Sequence, residues 1–192
     1  MQCNNSPMIR HHSFFKSVLL FAALSLPAAA FSSAADDKAF DSLHFNWKAL
    51  RLADAIKEVR GDGARVIAVF TEPECGYCRK YEKTLAQVDN VTIYRFLMPL
   101  DPNRSRASVT VWCAGDTDEQ RLEALTVAMQ NRGRIAGPDR CANPITANVR
   151  FAKQQNIYLT PTTIGADGRI VQGYLPLVNL EQWLSGKGAF TP

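Results

Sequence analysis

This 192-residue sequence predicts an α/β domain of two halves, β-α-β and β-β-α, with a helical insertion between them. Three observations carry that prediction. The apolar run Val66-Ile67-Ala68-Val69-Phe70 leads into Cys75-Gly76-Tyr77-Cys78, and a helix-patterned stretch follows at once. A second strand-like run, Val91-Thr92-Ile93-Tyr94-Arg95-Phe96-Leu97, comes after that helix, and such a connection implies two parallel strands. Near the C-terminus two short strand patterns flank Asp167-Gly168, which reads as a β-hairpin.

Taken in order, the first 35 residues read as a signal peptide. Arg10, His11, His12 and Lys16 form a basic n-region, residues 18–26 a short apolar core, and Pro27-Ala28-Ala29-Ala30 the small residues of a cleavage site. Cleavage fits after Ala30 or after Ala35, and translation could start at Met8. The apolar run is too short to span a bilayer by itself. Residues 36–50 read as an N-terminal arm, loose up to 46, and 51–192 as one catalytic-sized domain. Leu52, Ile56 and Val59 recur at helical spacing, so a helix is expected there, stopped by Gly61-Asp62-Gly63. Strand 65–71 follows. The helix after Cys75 places Tyr81, Leu85 and Val88 on one face.

In the insertion, Val109, Trp112 and Cys113 share a helical face that ends at Gly115. Asp116 or Thr117 is positioned to cap the next helix, which carries Leu122, Leu125 and Met129 and stops at Gly133. Asn143-Pro144 reads as the N-cap and first residue of a helix with Ile145, Val149 and Ala152 inside. Thr162-Thr163-Ile164-Gly165 and residues 169–174 form the hairpin, and Asn179 is expected to cap a last short helix. Trp47, Trp112 and Trp183 read as core; Asp54, Glu58 and the charges at 104–106 read as solvated surface.

Composition sets the class. A 46% hydrophobic content suits a globular domain. Loss of residues 1–30 removes Arg10 and Lys16 and leaves a charge of +2, too little to argue for nucleic acid or an anionic membrane. Of five cysteines, Cys3 departs with the signal. Cys75, Cys78, Cys113 and Cys141 remain, and an even number in an exported chain favours pairing with three possible connectivities.

Placement makes Cys75-Gly76-Tyr77-Cys78 more than a motif. A helix N-terminus has unpaired N–H groups and about half a positive charge, so an anion there is stabilised. A cysteine at that point ionises more easily and becomes a nucleophile. The second cysteine lies about one turn on and can close a disulfide with the first. Haem attachment would need His after the second cysteine, where Arg79 stands. Zinc would need further ligands at close spacing, and the mature chain has only His44 besides the isolated Cys113 and Cys141. A thiolate pair holding copper is the remaining metal alternative. Arg79 and Lys80 favour a thiolate while Glu72 and Glu74 oppose it, and the net sign is open.

The order of elements is the plan of a thioredoxin fold. Val69-Phe70-Thr71 running into the CGYC centre, Trp112-Cys113, Cys141, Thr160-Pro161 before the hairpin, and Gly173-Tyr174 together resemble the bacterial periplasmic disulfide isomerases of the DsbC/DsbG group from about residue 50 onward. That resemblance implies that Cys75 attacks and Cys78 resolves. It also implies that Gly76, Tyr77, Thr160 and Pro161 meet the substrate, with Thr160-Pro161 as a cis-proline loop, and that Cys113 and Cys141 form a structural disulfide. Closing their separation is worth roughly 3–4 kcal/mol by chain entropy. A second exchange centre is the alternative for that pair. The group's N-terminal dimerisation domain has no room before Cys75 if the signal is removed, so a short, monomeric form is expected.

The function expected is a periplasmic thiol:disulfide oxidoreductase, an isomerase or reductase without prosthetic group. Its clients would be disulfide-bearing exported proteins, and the resemblance implies a DsbD-type membrane reductase as electron source. The same-class alternative is a DsbA-like dithiol oxidase. The alternative from a different class is a non-catalytic accessory holding a client or copper.

Overall fold

A computed structural model describes residues 44–186. The signal peptide over 1–35 and the arm up to residue 43 lie outside the described residues. Five strands, β1 (Ile56–Arg60), β2 (Arg65–Thr71), β3 (Val91–Leu97), β4 (Thr162–Gly165) and β5 (Ile170–Gln172), form one sheet in the order β1-β3-β2-β4-β5. The β2–β3 pair is parallel and the other pairs antiparallel. Helices α1 (Gly76–Leu85), α2 (Arg106–Cys113), α3 (Asp118–Gln130), α4 (Ile145–Gln154) and α5 (Leu177–Leu184) complete the described fold. The thioredoxin plan with a helical insertion is the one observed.

Strand alternation divides the core into two layers. Ile67 and Val69 of β2 and Ile93 of β3 pack with Tyr81 and Leu85 of α1 and Leu180 and Trp183 of α5. Ala68, Phe70 and Phe96 face the other way, against Ala152 of α4 and Ile157. There Phe70 and Phe96 stack with ring centroids 4.9 Å apart. The insertion makes a third cluster, in which Val111 and Trp112 of α2 and Leu125 and Met129 of α3 surround Cys78, Ile56 and Leu97. Thr117 caps α3 in a reciprocal box with Gln120. A disulfide joins Cys113 to Cys141, with Cα atoms 5.8 Å apart, tying the end of α2 to the loop before α4. Cys113 is half-buried and Cys141 exposed, whereas Trp112 beside Cys113 is buried.

Four local expectations are corrected. The helix expected through Leu52, Ile56 and Val59 is a 3-10 turn at Leu52–Asp54 followed by β1. The alternation that marks β1 as a strand is hidden because its inner face is polar. Ile56, Glu58 and Arg60 point inward, whereas Lys57 and Val59 are exposed. Gly61 and Gly63, at φ +57° and +67°, therefore turn the chain past Asn90 rather than end a helix. The arm is packed by residue 45: the Phe45 N–H donates to the Gly168 carbonyl at 2.8 Å and its ring joins the core. Gly168, at φ +87°, permits that approach, since a Cβ there would lie 2.8 Å from the Phe45 carbonyl oxygen. Helix α4 starts at Ile145 with Pro144 in the cap position, and Asn143 accepts the Ile145 N–H at 3.2 Å. Helix α5 starts after Pro176, which puts Asn179 inside it.

Glu58 is also not free surface. Arg95 shares the inner face with Ile93, is 3% exposed, and bridges Glu58 at 2.8 Å and Glu82 of α1 at 3.1 Å. Burial alone would drive the Arg95 pKa down, but the Glu82 and Glu58 carboxylates outweigh it and hold it up. This cluster joins β1, β3 and α1. Replacing Arg95 by Ala leaves two half-buried carboxylates facing each other, with an expected loss of about 3–5 kcal/mol. Urea unfolding checks this; a loss below about 1 kcal/mol would mean the carboxylates relax into water.

Candidate active site

Strand β2 ends at Thr71, whose carbonyl accepts the Met98 N–H at 2.8 Å. The loop Glu72-Pro73-Glu74 then carries the chain into α1 with Cys75 in the N-cap position, extended at φ −74°, ψ 123°. The usual cap is an oxygen-bearing side chain accepting an N–H of the first turn. Here the acceptor is sulfur: Cys75 Sγ takes the Cys78 N–H at 3.2 Å. Cys78 sits one turn on with no exposed surface, packed among Ile56, Leu97, Val111 and Trp112. Both cysteines are free thiols, Cys75 half-exposed.

The loop before β4 supplies the opposite wall. The Thr160–Pro161 peptide bond is cis. The Thr160 carbonyl oxygen lies 3.4 Å from Cys75 Sγ, placed to accept its S–H when protonated. The Thr160 hydroxyl is buried, with no partner other than the two cysteine sulfurs whose ionisation it favours. Pro161 is buried, and its carbonyl accepts the Gly173 N–H at 2.7 Å, which anchors the loop to the segment after β5. Of the residues expected to meet substrate, the structure thus brings Thr160 against Cys75, with Pro161 beneath. Gly76 and Tyr77 form the exposed first turn of α1. Cys113 and Cys141 are paired with each other in the insertion, not at this site.

The two thiols are driven apart electrostatically. Cys75 falls from 9.0 to about 5: a hydrogen bond from the Cys78 thiol is the main cause, partial burial opposes it, and the Cys78 N–H, the Thr160 side chain and the Tyr77 N–H add to the lowering. Cys78 moves up, first because it is buried and then because it gives its proton toward Cys75. The two thiols titrate as a pair, and the direction of the split follows from one being capped and the other buried. The flanking charges, whose net sign the sequence left open, are engaged elsewhere. Arg79 donates to the Glu74 carbonyl at 2.9 Å, Lys80 lies 4.1 Å from the Tyr174 ring centroid, and Glu74 pairs with Arg104 at 3.2 Å. Glu72 accepts the Leu100 N–H at 2.9 Å, and its pKa is raised by burial, with Cys75 contributing.

Sequence reasoning missed two parts of this neighbourhood. The Arg95–Glu58–Glu82 cluster beneath α1 had no apolar period to reveal it. The other is the apolar rim that continues from Tyr77, itself expected at the substrate and 64% exposed: Leu159, next to Thr160, is 53% exposed, and Leu100, on Glu72, 47%. Large apolar side chains exposed around a nucleophile mark a contact surface. Among the described residues no three His, Cys, Asp or Glu side chains come together as a metal site, and no helix is long and apolar enough to cross a membrane.

Comparison with known proteins bears on the fold and the family. A family model described as a thioredoxin-like domain matches residues 52–186. The probable thiol:disulfide interchange protein DsbC of Bordetella pertussis is 35% identical over 128 residues, 66% of this chain and 44% of that protein. The DsbC of Escherichia coli K12 is 26% identical over 62% of this chain and 50% of its own length. The chain therefore spans half or less of the length of these relatives. The crystal structure of a disulfide interchange protein from Neisseria gonorrhoeae superimposes with a TM-score of 0.63 at 30% identity, covering 72% of this chain and 98% of that one.

The lowered Cys75 pKa sets a pH profile. In the reduced protein, alkylation by iodoacetamide should rise with a midpoint near pH 5 and be flat above pH 7, with thiolate absorbance following the same curve. Because the folded-state value is depressed, the stabilisation of the dithiol fold is complete above the ordinary 9.0 and lost as pH falls through about 5. A midpoint near the free-thiol value would remove the nucleophile.

Proposed function

The chain belongs to the thioredoxin-like domain family, and from that membership we propose that it is a periplasmic thiol:disulfide oxidoreductase that reduces or isomerises disulfides of exported proteins. One observation carries the reading: Cys75 is half-exposed, capped by the first turn of α1 and ionised at neutral pH, whereas Cys78 is sealed and protonated. The relatives named as disulfide interchange proteins support it.

Cys75 thiolate attacks one sulfur of a client disulfide. A Cys75–client S–S bond forms, the client S–S bond breaks, and the released client thiolate carries the electron pair away. Two exits follow. In isomerisation a second client thiolate attacks the client sulfur of the mixed disulfide, and Cys75 leaves as thiolate. In reduction Cys78 gives up its proton to the departing client sulfur and attacks Cys75 Sγ, closing Cys75–Cys78 and oxidising the pair by two electrons. Return to the dithiol then needs an external dithiol donor, for which a DsbD-type membrane reductase is the proposed partner.

The pKa split favours the first exit. A stable thiolate is a good leaving group, so the mixed disulfide opens readily from the client side. Burial keeps Cys78 protonated and slows resolution, which lengthens the interval for client thiols to rearrange. Thr160, Pro161, Gly76 and Tyr77 are proposed to hold the client backbone across Cys75, with Tyr77, Leu159 and Leu100 offering apolar contact to unfolded segments. Cys113–Cys141, remote from the exchange centre in the sequence and joined in the insertion, is proposed to be structural.

Acid quench and alkylation of cells should find Cys75 and Cys78 mostly as dithiol, and purified protein should reactivate scrambled ribonuclease. Replacing Cys75 by Ser should abolish the reactivation, and replacing Cys78 by Ser should trap client mixed disulfides. A mostly oxidised pair in cells would overturn the isomerase–reductase reading in favour of a dithiol oxidase.

A further inference from the structure

A cleft of about 730 Å³ opens between α1 and α3, above the Arg95 cluster. Its size is that of a ligand-binding cleft, about 300–1,000 Å³. Gly76, the neighbour of Cys75 in the chain, is part of its wall, so it adjoins the exchange centre. The wall contributed by α1 carries Arg79, Lys80 and Lys83, and Arg132 stands at the end of α3. With Arg60 and Arg95 the lining holds six cations against two carboxylates, Glu58 and Glu82. Those carboxylates are already paired with Arg95 and Arg60, and Arg79 and Lys80 are turned to a carbonyl and a ring, which leaves Lys83 and Arg132 as rim cations with no acid of the cleft to balance them. The α3 side is different: Leu122, Leu125 and Met129 make it apolar.

Arg95 adds a second, independent observation. Its side chain is 3% exposed, yet Nη1 is buried with no hydrogen-bond partner. Buried guanidinium N–H groups normally find an acceptor. An unfilled donor in the lining of a positively charged cleft is suited to an anion's oxygen. The cations on α1 spread over positions 79 to 83, about 6 Å along the axis. Dispersed cations facing an apolar wall match several carboxylates set along an extended chain better than one compact phosphate.

We propose that the α1–α3 cleft binds an acidic segment of the client polypeptide beside the disulfide that Cys75 attacks, with client Glu or Asp side chains against Lys83 and Arg132 and an apolar client side chain against Leu122. This names the substrate class of the oxidoreductase and rests on that reading. The cleft selects clients by the charge next to their cystine, whereas the apolar rim around Cys75 does not distinguish charge.

The test uses two peptides with the same disulfide, one flanked by Glu-Glu-Leu and the other by Lys-Lys-Leu, and the neutral hydroxyethyl disulfide as reference. Each is mixed in excess with pre-reduced protein, and the second-order rate of Cys75–Cys78 oxidation is followed. The acidic peptide should react about tenfold faster than the basic one at low salt, and the ratio should approach one near 1 M salt. The double change Lys83→Glu and Arg132→Glu should reverse the order and leave the hydroxyethyl disulfide rate unchanged. Equal peptide rates in the unaltered protein, with hydroxyethyl disulfide reduced normally, would overturn the cleft and leave the oxidoreductase reading standing. So would an acidic preference that survives the double change. Failure to reduce any of the three disulfides would sink the oxidoreductase reading and the cleft with it.

Discussion

A sulfur atom occupies the place where a helix usually puts an oxygen. Helix α1 begins with unpaired N–H groups, and Cys75 Sγ accepts that of Cys78. An anion in that position completes the helix and is in turn stabilised by it. The interaction is worth more to thiolate than to thiol, so capping and acidity are one fact seen from two sides. Moving the cysteine a single residue into α1 would remove both. The end of β2 and the loop 72–74 therefore matter as positioning devices: they bring the chain out of the sheet so that the cap falls on residue 75.

What holds α1 over the sheet is partly apolar and partly ionic. Tyr81 and Leu85 bury one stripe of the helix against Ile67, Val69 and Ile93. Beside that stripe, Glu82 reaches Arg95, which also holds Glu58 from the edge strand β1. A buried guanidinium with two carboxylates is a poor source of stability compared with well-packed hydrocarbon. Its effect here is geometric, since it ties the helix carrying the cysteines to two strands. It also lets the floor of the α1–α3 cleft be polar.

Most of the fold was legible because its signals are local. The runs 65–71 and 91–97 show apolar strands, Asp116 or Thr117 announces a capped helix, and Asp167-Gly168 marks a hairpin turn. The CGYC placement was readable for the same reason, since strand, loop and helix follow one another directly. The failures came where the deciding partner is distant. Ile56 and Val59 fit a helical period, but Glu58 faces inward to meet Arg95 and Arg60 to meet the Leu85 carbonyl, and nothing near residue 56 announces residues 85 and 95. Phe45 looked like part of an arm until Gly168, far along the chain, left room for its backbone. The sign of the charge around Cys75 was unreadable because Arg79, Glu74 and Lys80 are diverted to Pro73 and Glu74 carbonyls, Arg104 and Tyr174.

The asymmetry between the two thiols makes the order of events intelligible. If both were exposed and equally acidic, either could attack, and the closed pair would form as fast as any client adduct. Sealing Cys78 among Ile56, Leu97, Val111 and Trp112 denies it access to a client and raises the cost of its anion. Capping Cys75 does the reverse. In the proposed exchange the helical insertion takes part, because α2 and α3 supply the apolar cover over Cys78 as well as the far wall of the cleft. A thioredoxin-like sheet and α1 alone would place the two sulfurs correctly. On the proposed roles of the two cysteines, the cover over Cys78 turns that placement into a sequence, attack first and resolution later.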